Sequence, residues 1–210
     1  KGVLISCSIQ EGFNPSLMYL CRKHNLIILG NFADLGIRHG FEKSLLEMNI
    51  IEPTDIQKKV IPALIEKPND IVAQAQTGTG KTAAYGLPLL EMMNSGNPKV
   101  QGLVLCPTRE LGQQVAKQLF KFTKYGDKIF TEAVYGGEKI DRQIASLKRP
   151  TQIIVATPGR LIDLVQRGAV DLSEVNTVVL DEADEMLSMG FKSQLDQILT
   201  GLSSVKYKWL

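Results

Sequence analysis

A glycine-rich run at residues 75–82, with the letters AQTGTGKT, constrains this chain more than any other part of its sequence. An apolar segment at residues 70–73 precedes the run and predicts a short buried strand, and residues 83–87 predict a helix after it. A glycine-rich loop between a strand and a helix is typical of phosphate-binding sites, because its backbone N–H groups can turn towards the phosphates. The run therefore predicts an α/β fold that binds a nucleoside triphosphate.

The residues of this loop have separate predicted tasks. Gly78 and Gly80 permit the tight backbone turn, and Ala75 stands at a first position that many such loops give to glycine. Lys81 is placed to reach the β and γ phosphate oxygens, and the Thr82 hydroxyl is placed to coordinate Mg²⁺. The predicted nucleotide-binding residues of the loop are Ala75, Gln76, Thr77, Gly78, Thr79, Gly80, Lys81 and Thr82.

An acidic sequence, Asp-Glu-Ala-Asp, occupies residues 181–184 directly after the apolar run at residues 177–180. Carboxylates beside a bound nucleotide can hold its Mg²⁺ ion and activate the attacking water. The alternative is a helix amino terminus whose acidic residues are favoured by the helix dipole. The phosphate-binding run upstream favours the first interpretation, a site for a nucleoside triphosphate with magnesium.

Apolar runs and amphipathic stretches alternate along the chain. The runs, which predict strands buried on both faces, are residues 71–73, 103–106, 129–134, 153–156 and 178–180. The stretches between them, which predict helices, include residues 110–125, 139–148 and 161–166. This alternation predicts a mostly parallel sheet with helices on both faces, and ligands bind such sheets at the carboxyl ends of the strands.

Composition limits the size of the fold and the range of its partners. With 210 residues and 44% hydrophobic content, the chain fits one globular domain, and residues 1–30 match no element of the α/β pattern. A net charge of +2 gives no global basic field, so a nucleic-acid surface has to be local. Three cysteines favour a reducing compartment, and we expect a cytoplasmic protein. No run approaches the ~20 apolar residues of a membrane span.

Four further motifs accompany the loop and the acidic sequence. They are PTDIQ at residues 53–57, PTREL at 107–111, YGG at 135–137 and TPGR at 157–160. Their order and spacing resemble the amino-terminal RecA-like domain of DEAD-box RNA helicases, and the resemblance covers residues 31–210. The chain departs from the family pattern at Asn49-Ile50, where Gly-Phe is usual, and at Asp55, where a second proline is usual.

The resemblance assigns roles in the nucleotide site. It implies that Gln57 recognises the adenine edge and that Phe32 stacks on the base, although Phe32 alone is equally well explained as a core aromatic. It implies that Asp181 holds Mg²⁺ through water and that Glu182 orients the attacking water and accepts its proton. Asp184 would connect the ATP site to a second domain.

The resemblance also assigns contacts with the sugar-phosphate backbone of one RNA strand, which carry no base sequence. The residues are Pro107, Thr108, Arg109, Gly137, Thr157, Pro158, Gly159 and Arg160. Thr108 and Thr157 are typical helix N-caps, and Pro158 suits the first helical position. Without the family resemblance, these segments would be interpreted as ordinary helix starts.

The resemblance implies that the chain is the nucleotide-binding half of an ATP-dependent RNA helicase, which unwinds RNA duplexes or remodels RNA–protein complexes. Two alternatives are an ATP-gated RNA clamp or scaffold with little unwinding, and a phosphate-loop switch unrelated to RNA, against which Gln57 argues. The chain stops where the family continues into a Ser-Ala-Thr motif. We therefore expect a monomeric fragment, nearly inactive until a second RecA-like domain supplies arginine fingers and the other half of the RNA groove.

Overall fold

Five short parallel strands form the centre of the structure, which is a computed structural model that describes residues 32–75 and 78–210. The strands are β1 (Gly102–Leu105), β2 (Thr131–Val134), β3 (Ile153–Ala156), β4 (Thr177–Leu180) and β5 (Tyr207–Trp209). Their order across the sheet is β2, β3, β1, β4, β5, and every neighbouring pair is parallel. Parallel neighbours require crossover connections, and helices provide them here.

Among the described residues, three helices precede β1, single helices connect β1 to β4, and two helices lie between β4 and β5. They are α1 (His39–Glu47), α2 (Asp55–Glu66), α3 (Lys81–Met92), α4 (Arg109–Phe122), α5 (Ile140–Ser146), α6 (Pro158–Gln166), α7 (Ala183–Ser188) and α8 (Lys192–Gly201), with a 3₁₀ turn at Ala33–Leu35. None of these helices has the length and hydropathy to cross a bilayer.

Two apolar cores lie on opposite faces of the sheet. Val104 and Cys106 at β1 belong to the first core, which contains side chains of α1, α2, α3 and α4. Leu103 and Leu105 belong to the second core, which contains side chains of α6, α7 and α8. Successive side chains of a strand point to opposite faces, so one strand of four buried residues contributes to both cores. The predicted α/β fold, with a parallel sheet and helices on both faces, is confirmed.

The segment before the phosphate-binding run differs from the predicted buried strand at residues 70–73. Ile71 forms a single parallel bridge to Trp209, and the Ala73 N–H donates to the Leu210 carbonyl at 2.7 Å, while the side chain of Val72 is 79% exposed. This segment lies beyond β5, and no strand of residues 32–75 and 78–210 pairs with its other side. The apolar composition of residues 71–73 does not distinguish this half-paired edge from a strand inside the sheet.

Several other boundaries also differ from the sequence-based ones. β5 was not predicted, because its three residues are too short for an alternation pattern. Strand β2 begins at Thr131, two residues after the predicted start. Asn49, which replaces a glycine of the family pattern, has a φ of 60°, a left-handed conformation that asparagine tolerates better than most residues.

Arg38 fastens the amino-terminal part of the described chain to α3, the helix that follows the phosphate-binding run. Its Nε atom donates to Glu91 Oε2 at 2.6 Å, and its backbone N–H donates to Glu91 Oε1 at 2.5 Å. A second guanidinium nitrogen donates to the Glu91 carbonyl at 2.6 Å, and the third donates to Asp127. The side chain of Glu91 is only 12% exposed, so Arg38 is its main charged hydrogen-bond donor.

Replacing Arg38 with alanine should destabilise the fold by about 1–3 kcal/mol, because the buried Glu91 carboxylate loses its charged donor. The matched control is Arg167→Ala, which breaks an exposed ion pair with Asp163 on α6 and should cost no more than ~0.5 kcal/mol. Urea unfolding of both variants, followed by circular dichroism, measures the difference. Equal losses of stability would contradict the anchoring role of Arg38.

Candidate functional site

The described part of the phosphate-binding loop has the backbone geometry that its glycines predict. Gly78 and Gly80 have φ values of 81° and 86°, in the left-handed region that favours glycine. A Cβ atom on Gly80 would lie 2.3 Å from Gln57 Nε2, so a larger residue is excluded there by contact as well as by conformation. Helix α3 begins at Lys81, directly after the loop. The predicted binding residues Gln76 and Thr77 lie outside the described residues.

Helix α2 holds this loop from the side. Gln57 Nε2 donates to the Gly80 carbonyl at 3.0 Å, and Thr54 Oγ1 donates to the Thr79 carbonyl at 2.9 Å. The Gln57 amide oxygen in turn accepts from the Thr54 N–H at 2.9 Å. Gln57 is 3% exposed, so its amide is a buried connection between the start of α2 and the phosphate-binding loop.

Phe32 occupies a different environment from the one that base stacking requires. Its ring is 1% exposed and packs in the first core with helices α1 to α4. In this arrangement the ring presents no free face to a nucleotide. The structure therefore places Phe32 as a core aromatic, which was the alternative explanation of this residue.

A cavity of about 400 Å³ brings the loop and the acidic sequence together. Its polar wall contains Lys81 at the start of α3 and the carboxyl groups of Asp181, Glu182 and Asp184, which follow β4. Ala75 of the phosphate-binding loop also lines the cavity. Its apolar wall includes Val60, Leu64 and Trp209. Lysine and carboxylates from segments about a hundred residues apart thus line one space at the carboxyl ends of the strands, where parallel sheets bind ligands.

Asp181 is the most buried acid of the site, at 7% exposure. Burial raises the pKa of its carboxyl group, while a hydrogen bond from Tyr85 and the charge of Lys81 act in the opposite direction. The Tyr85 hydroxyl donates to Asp181 Oδ2 at 2.9 Å. Burial, followed by the nearby Asp181, raises the pKa of Tyr85 well above its ordinary value. Burial and the nearby Asp181 also raise the pKa of the buried Cys106 thiol.

The backbone conformation of Glu182 is unusual for a residue other than glycine. Its φ of 55° lies in the left-handed region, at the position just before α7. Such a conformation costs energy for residues other than glycine and occurs preferentially at functional sites. Burial raises the pKa of Glu182, and a hydrogen bond with Glu185 and the charge of Asp181 add to the shift. Asp184, two residues further along the chain, is exposed.

The donors around the cavity fit a magnesium ion held together with phosphates. Asp181 offers a carboxylate and Thr82 a half-buried hydroxyl, which are the hard oxygen ligands that Mg²⁺ prefers. The two side chains are joined through Tyr85, whose hydroxyl interacts with both. When bound, the ion would neutralise negative charge on the phosphate oxygens.

The predicted RNA-contacting motifs converge around Gly137. Thr108 caps α4, since its hydroxyl accepts from the Leu111 N–H at 3.3 Å. The exposed guanidinium of Arg109 lies over the Tyr135 ring, 4.8 Å from its centroid. Gly137 has a φ of 84°, and a Cβ atom there would lie 3.6 Å from an Arg109 nitrogen. Pro107 is buried at the end of β1 and fixes the direction of this segment.

The fourth motif joins the same cluster through Arg160. Its guanidinium donates to Gln143 Oε1 at 2.7 Å and to the Glu138 carbonyl at 3.1 Å. Pro158 is the first residue of α6, as predicted, but the Thr157 side chain makes no capping hydrogen bond. Thr157 donates its backbone N–H to the Val134 carbonyl instead, at 3.1 Å. Gly159 is exposed, and a Cβ atom there would meet no other described atom within 4 Å.

Four residues that support these sites were not identified from the sequence. They are Thr54 and Tyr85 at the nucleotide site, and Tyr135 and Gln143 at the Gly137 cluster. Tyr85 carries a usable signal, because it lies three residues after Thr82 and shares that face of α3. Thr54 carries another, because it forms a Thr-x-x-Gln capping box with Gln57. The contacts of the others involve residues that are distant in sequence or follow no helical or strand period.

Comparisons with known proteins agree with this geometry. Residues 54–209 match the profile of the family described as DEAD/DEAH box helicase. A DEAD-box ATP-dependent RNA helicase CshA of Geobacillus kaustophilus is 47% identical over 169 residues, which are 80% of this chain and 36% of that protein. The CshA protein of Bacillus subtilis is 44% identical over 173 residues, or 35% of its length. The chain thus spans about a third of the length of these curated relatives.

Solved structures show the same fold. A DEAD box protein from the hyperthermophile Methanococcus jannaschii superposes with a TM-score of 0.79 at 38% identity, over 85% of this chain and 48% of that one. Saccharomyces cerevisiae Dbp5 L327V, solved bound to RNA and ADP BeF3, gives a TM-score of 0.74 at 32% identity, over 85% of this chain and 45% of that one. The RecA-like fold is confirmed, and the chain belongs to the DEAD/DEAH box helicase family.

Proposed function

We propose that this chain is the nucleotide-binding half of an ATP-dependent RNA helicase. It binds ATP with Mg²⁺ and the backbone of RNA, and hydrolysis drives local duplex unwinding or remodelling of RNA–protein complexes when a second RecA-like domain is joined to it. The observation that carries the proposal is the cavity at the sheet edge, where Lys81 faces Asp181 and Glu182. A cytoplasmic site of action and a monomeric chain are part of the same proposal.

Adenine recognition is assigned to Gln57. An amide side chain can donate and accept at once, which suits the paired N6 and N7 groups of adenine and not the two acceptors of guanine. The position of Gln57 beside Gly80 supports this role, because it places the amide next to the loop that would bind the phosphates. Equal affinity of the unaltered chain for ATP and GTP in competition binding would contradict it.

Hydrolysis is assigned to Glu182 as the group that orients the attacking water and accepts its proton. A general base works best when its pKa is near the working pH, and the environment of Glu182 moves its pKa upward in that direction. Lys81 is assigned to the β and γ phosphate oxygens, and Asp181 and Thr82 to the magnesium ion. The exposed Asp184 is assigned to contact with the second domain.

RNA binding is assigned to the surface formed by three segments that meet at Gly137. Arg109 is the exposed cation of this surface, and the residues around it can contact phosphates through backbone N–H groups. Arg160 donates hydrogen bonds to Gln143 and to the Glu138 carbonyl. We therefore assign it to holding the Gly137 loop in position as well as to contact with RNA. These contacts would position one strand without selecting its sequence.

Lys81→Ala should weaken ATP binding at least about tenfold, because charged hydrogen bonds to the phosphates contribute about 1.5–3 kcal/mol. Isothermal titration with ATP and Mg²⁺ measures the loss. The control is Lys117→Ala, which removes an exposed lysine of α4 away from the cavity and should leave the affinity unchanged. The same affinity in the Lys81 variant as in the parent would contradict the phosphate-loop assignment.

Glu182→Gln in the full-length protein should retain ATP and RNA binding but lower turnover by about 10²–10⁴, since the amide fills the same space without accepting a proton. Glu66→Gln is the control, because it makes the same change at an exposed carboxylate at the end of α2 that does not line the cavity. Steady-state phosphate release with saturating RNA compares the two. Rapid turnover by the Glu182 variant would assign the base to another group.

Strand displacement tests the proposed activity as a whole. The full-length protein should separate a short RNA duplex with hydrolysable ATP, whereas this chain alone should bind single-stranded RNA weakly and gain nothing from ATP. Weak binding through a few phosphates should also fall as salt rises. Fluorescence anisotropy at two salt concentrations and a gel-based displacement assay measure both properties.

Two outcomes of that assay would change the proposal. If the full-length protein binds RNA tightly in an ATP-dependent manner but does not separate the strands, the result would favour the clamp or scaffold. Tight, ATP-dependent RNA binding by this chain alone would contradict the need for a second domain.

A further inference from the structure

Tyr85 places a buried hydroxyl group between two residues of the candidate magnesium site. The residue lies near the start of α3 and is 8% exposed, so its side chain is enclosed by protein. The hydroxyl donates to Asp181 Oδ2 at 2.9 Å across 96 residues of sequence. It also interacts with the Thr82 side chain, which lies on the same face of the helix.

The direction of these hydrogen bonds follows from the chemistry of the three groups. A carboxylate only accepts, so the single proton of the Tyr85 hydroxyl is used by Asp181. The Tyr85 oxygen can then only accept from Thr82, which directs the threonine proton towards the tyrosine. The Asp181 carboxylate also accepts from the Glu182 backbone, and its remaining lone pairs and those of Thr82 are available for a cation or its water shell.

A phenylalanine at this position would fill the same apolar space without the cost of burying a polar group. The hydroxyl has its hydrogen bonds with the two side chains assigned to magnesium and with no other side chain of the described residues. Partners that orient metal ligands in this way commonly change metal affinity about 10–100-fold when they are removed. The position of the hydroxyl therefore matches that of a group that orients ligands.

We propose that Tyr85 is a positioning residue of the magnesium site, whose hydroxyl holds the Asp181 carboxylate and the Thr82 hydroxyl with their free oxygens directed to the ion. This inference rests on the proposed binding of ATP with Mg²⁺. Tyr85 also lines the cavity, but in this role its hydroxyl acts through Asp181 and Thr82. Its effect should therefore appear in the dependence of nucleotide binding on metal, and not in nucleotide binding as such.

The test compares the full-length protein with its Tyr85→Phe variant. The affinity for a fluorescent ATP analogue is measured over a range of Mg²⁺ concentrations and again with excess EDTA. We expect Tyr85→Phe to raise the Mg²⁺ concentration for half-maximal binding about tenfold, while the affinity in EDTA changes less than about twofold. Electron paramagnetic resonance of Mn²⁺ in the nucleotide complex gives a second measurement, in which the variant should hold less of the ion.

The matched control is Thr123→Val. Thr123 is also buried, and its hydroxyl donates to the Phe120 carbonyl at 2.9 Å, so the change removes a buried hydroxyl away from the nucleotide site. The metal dependence of this variant should match that of the parent. A third variant carries 4-aminophenylalanine at position 85, whose N–H group can donate to Asp181, and it should recover most of the parent's metal affinity.

Three outcomes would overturn the proposal. The first is an unchanged metal dependence in Tyr85→Phe. The second is an equal loss of affinity with and without metal, which would indicate a purely structural role. The third is a parent protein that binds the nucleotide equally well in EDTA; this outcome would contradict the magnesium site in the proposed function, and it is distinguished from the first two because it concerns the parent alone.

Discussion

Parallel pairing of the central strands is the constraint on which both candidate sites depend. In β1, Leu105 is level with Ala156 of β3 on one side and with Leu180 of β4 on the other. Where neighbouring strands run in the same direction and end at the same level, the residues that follow them lie at the same edge of the sheet. The pairing even continues into the following segments, because the Asp181 N–H donates to the Leu105 carbonyl at 2.9 Å. The proposed catalytic acids and the first segment proposed to contact RNA therefore begin next to each other on buried backbone.

The sequence predicted the parts of this arrangement that depend on local pattern. Strands β1, β3 and β4 are buried on both faces, so each is a continuous apolar run that stands out from its surroundings. The edge of the sheet was less predictable. Ile71 and β5 pair over only a few residues, and the exposed Val72 resembles a buried strand residue in sequence although it lies at an unpaired side. Strand order was not predictable, since no local pattern records which strands become neighbours.

The candidate site divides in the same way. Motif residues such as Lys81 and Asp181 could be identified because each lies at a fixed offset from a strand end or a glycine. The contacts that orient them could not, because they join elements that are far apart in the chain. Gln57 reaches Gly80 across 23 residues, and Tyr85 reaches Asp181 across 96. Phe32 shows the reverse case, in which an aromatic at a suggestive position is a core residue in the structure.

The hydrogen-bonding capacity of Gln57 is compatible with both its contact with Gly80 and its proposed recognition of adenine. An amide side chain has two N–H donors and two oxygen lone pairs. One donor is used by the Gly80 carbonyl and one lone pair by the Thr54 N–H, so one donor and one lone pair remain. This remaining pair matches the N7 acceptor and N6 donor of adenine. One side chain can therefore hold the phosphate-binding loop and the base at the same time. Glutamate would keep the acceptors but lose both donors, and it would place a charge beside the loop that is meant for phosphates.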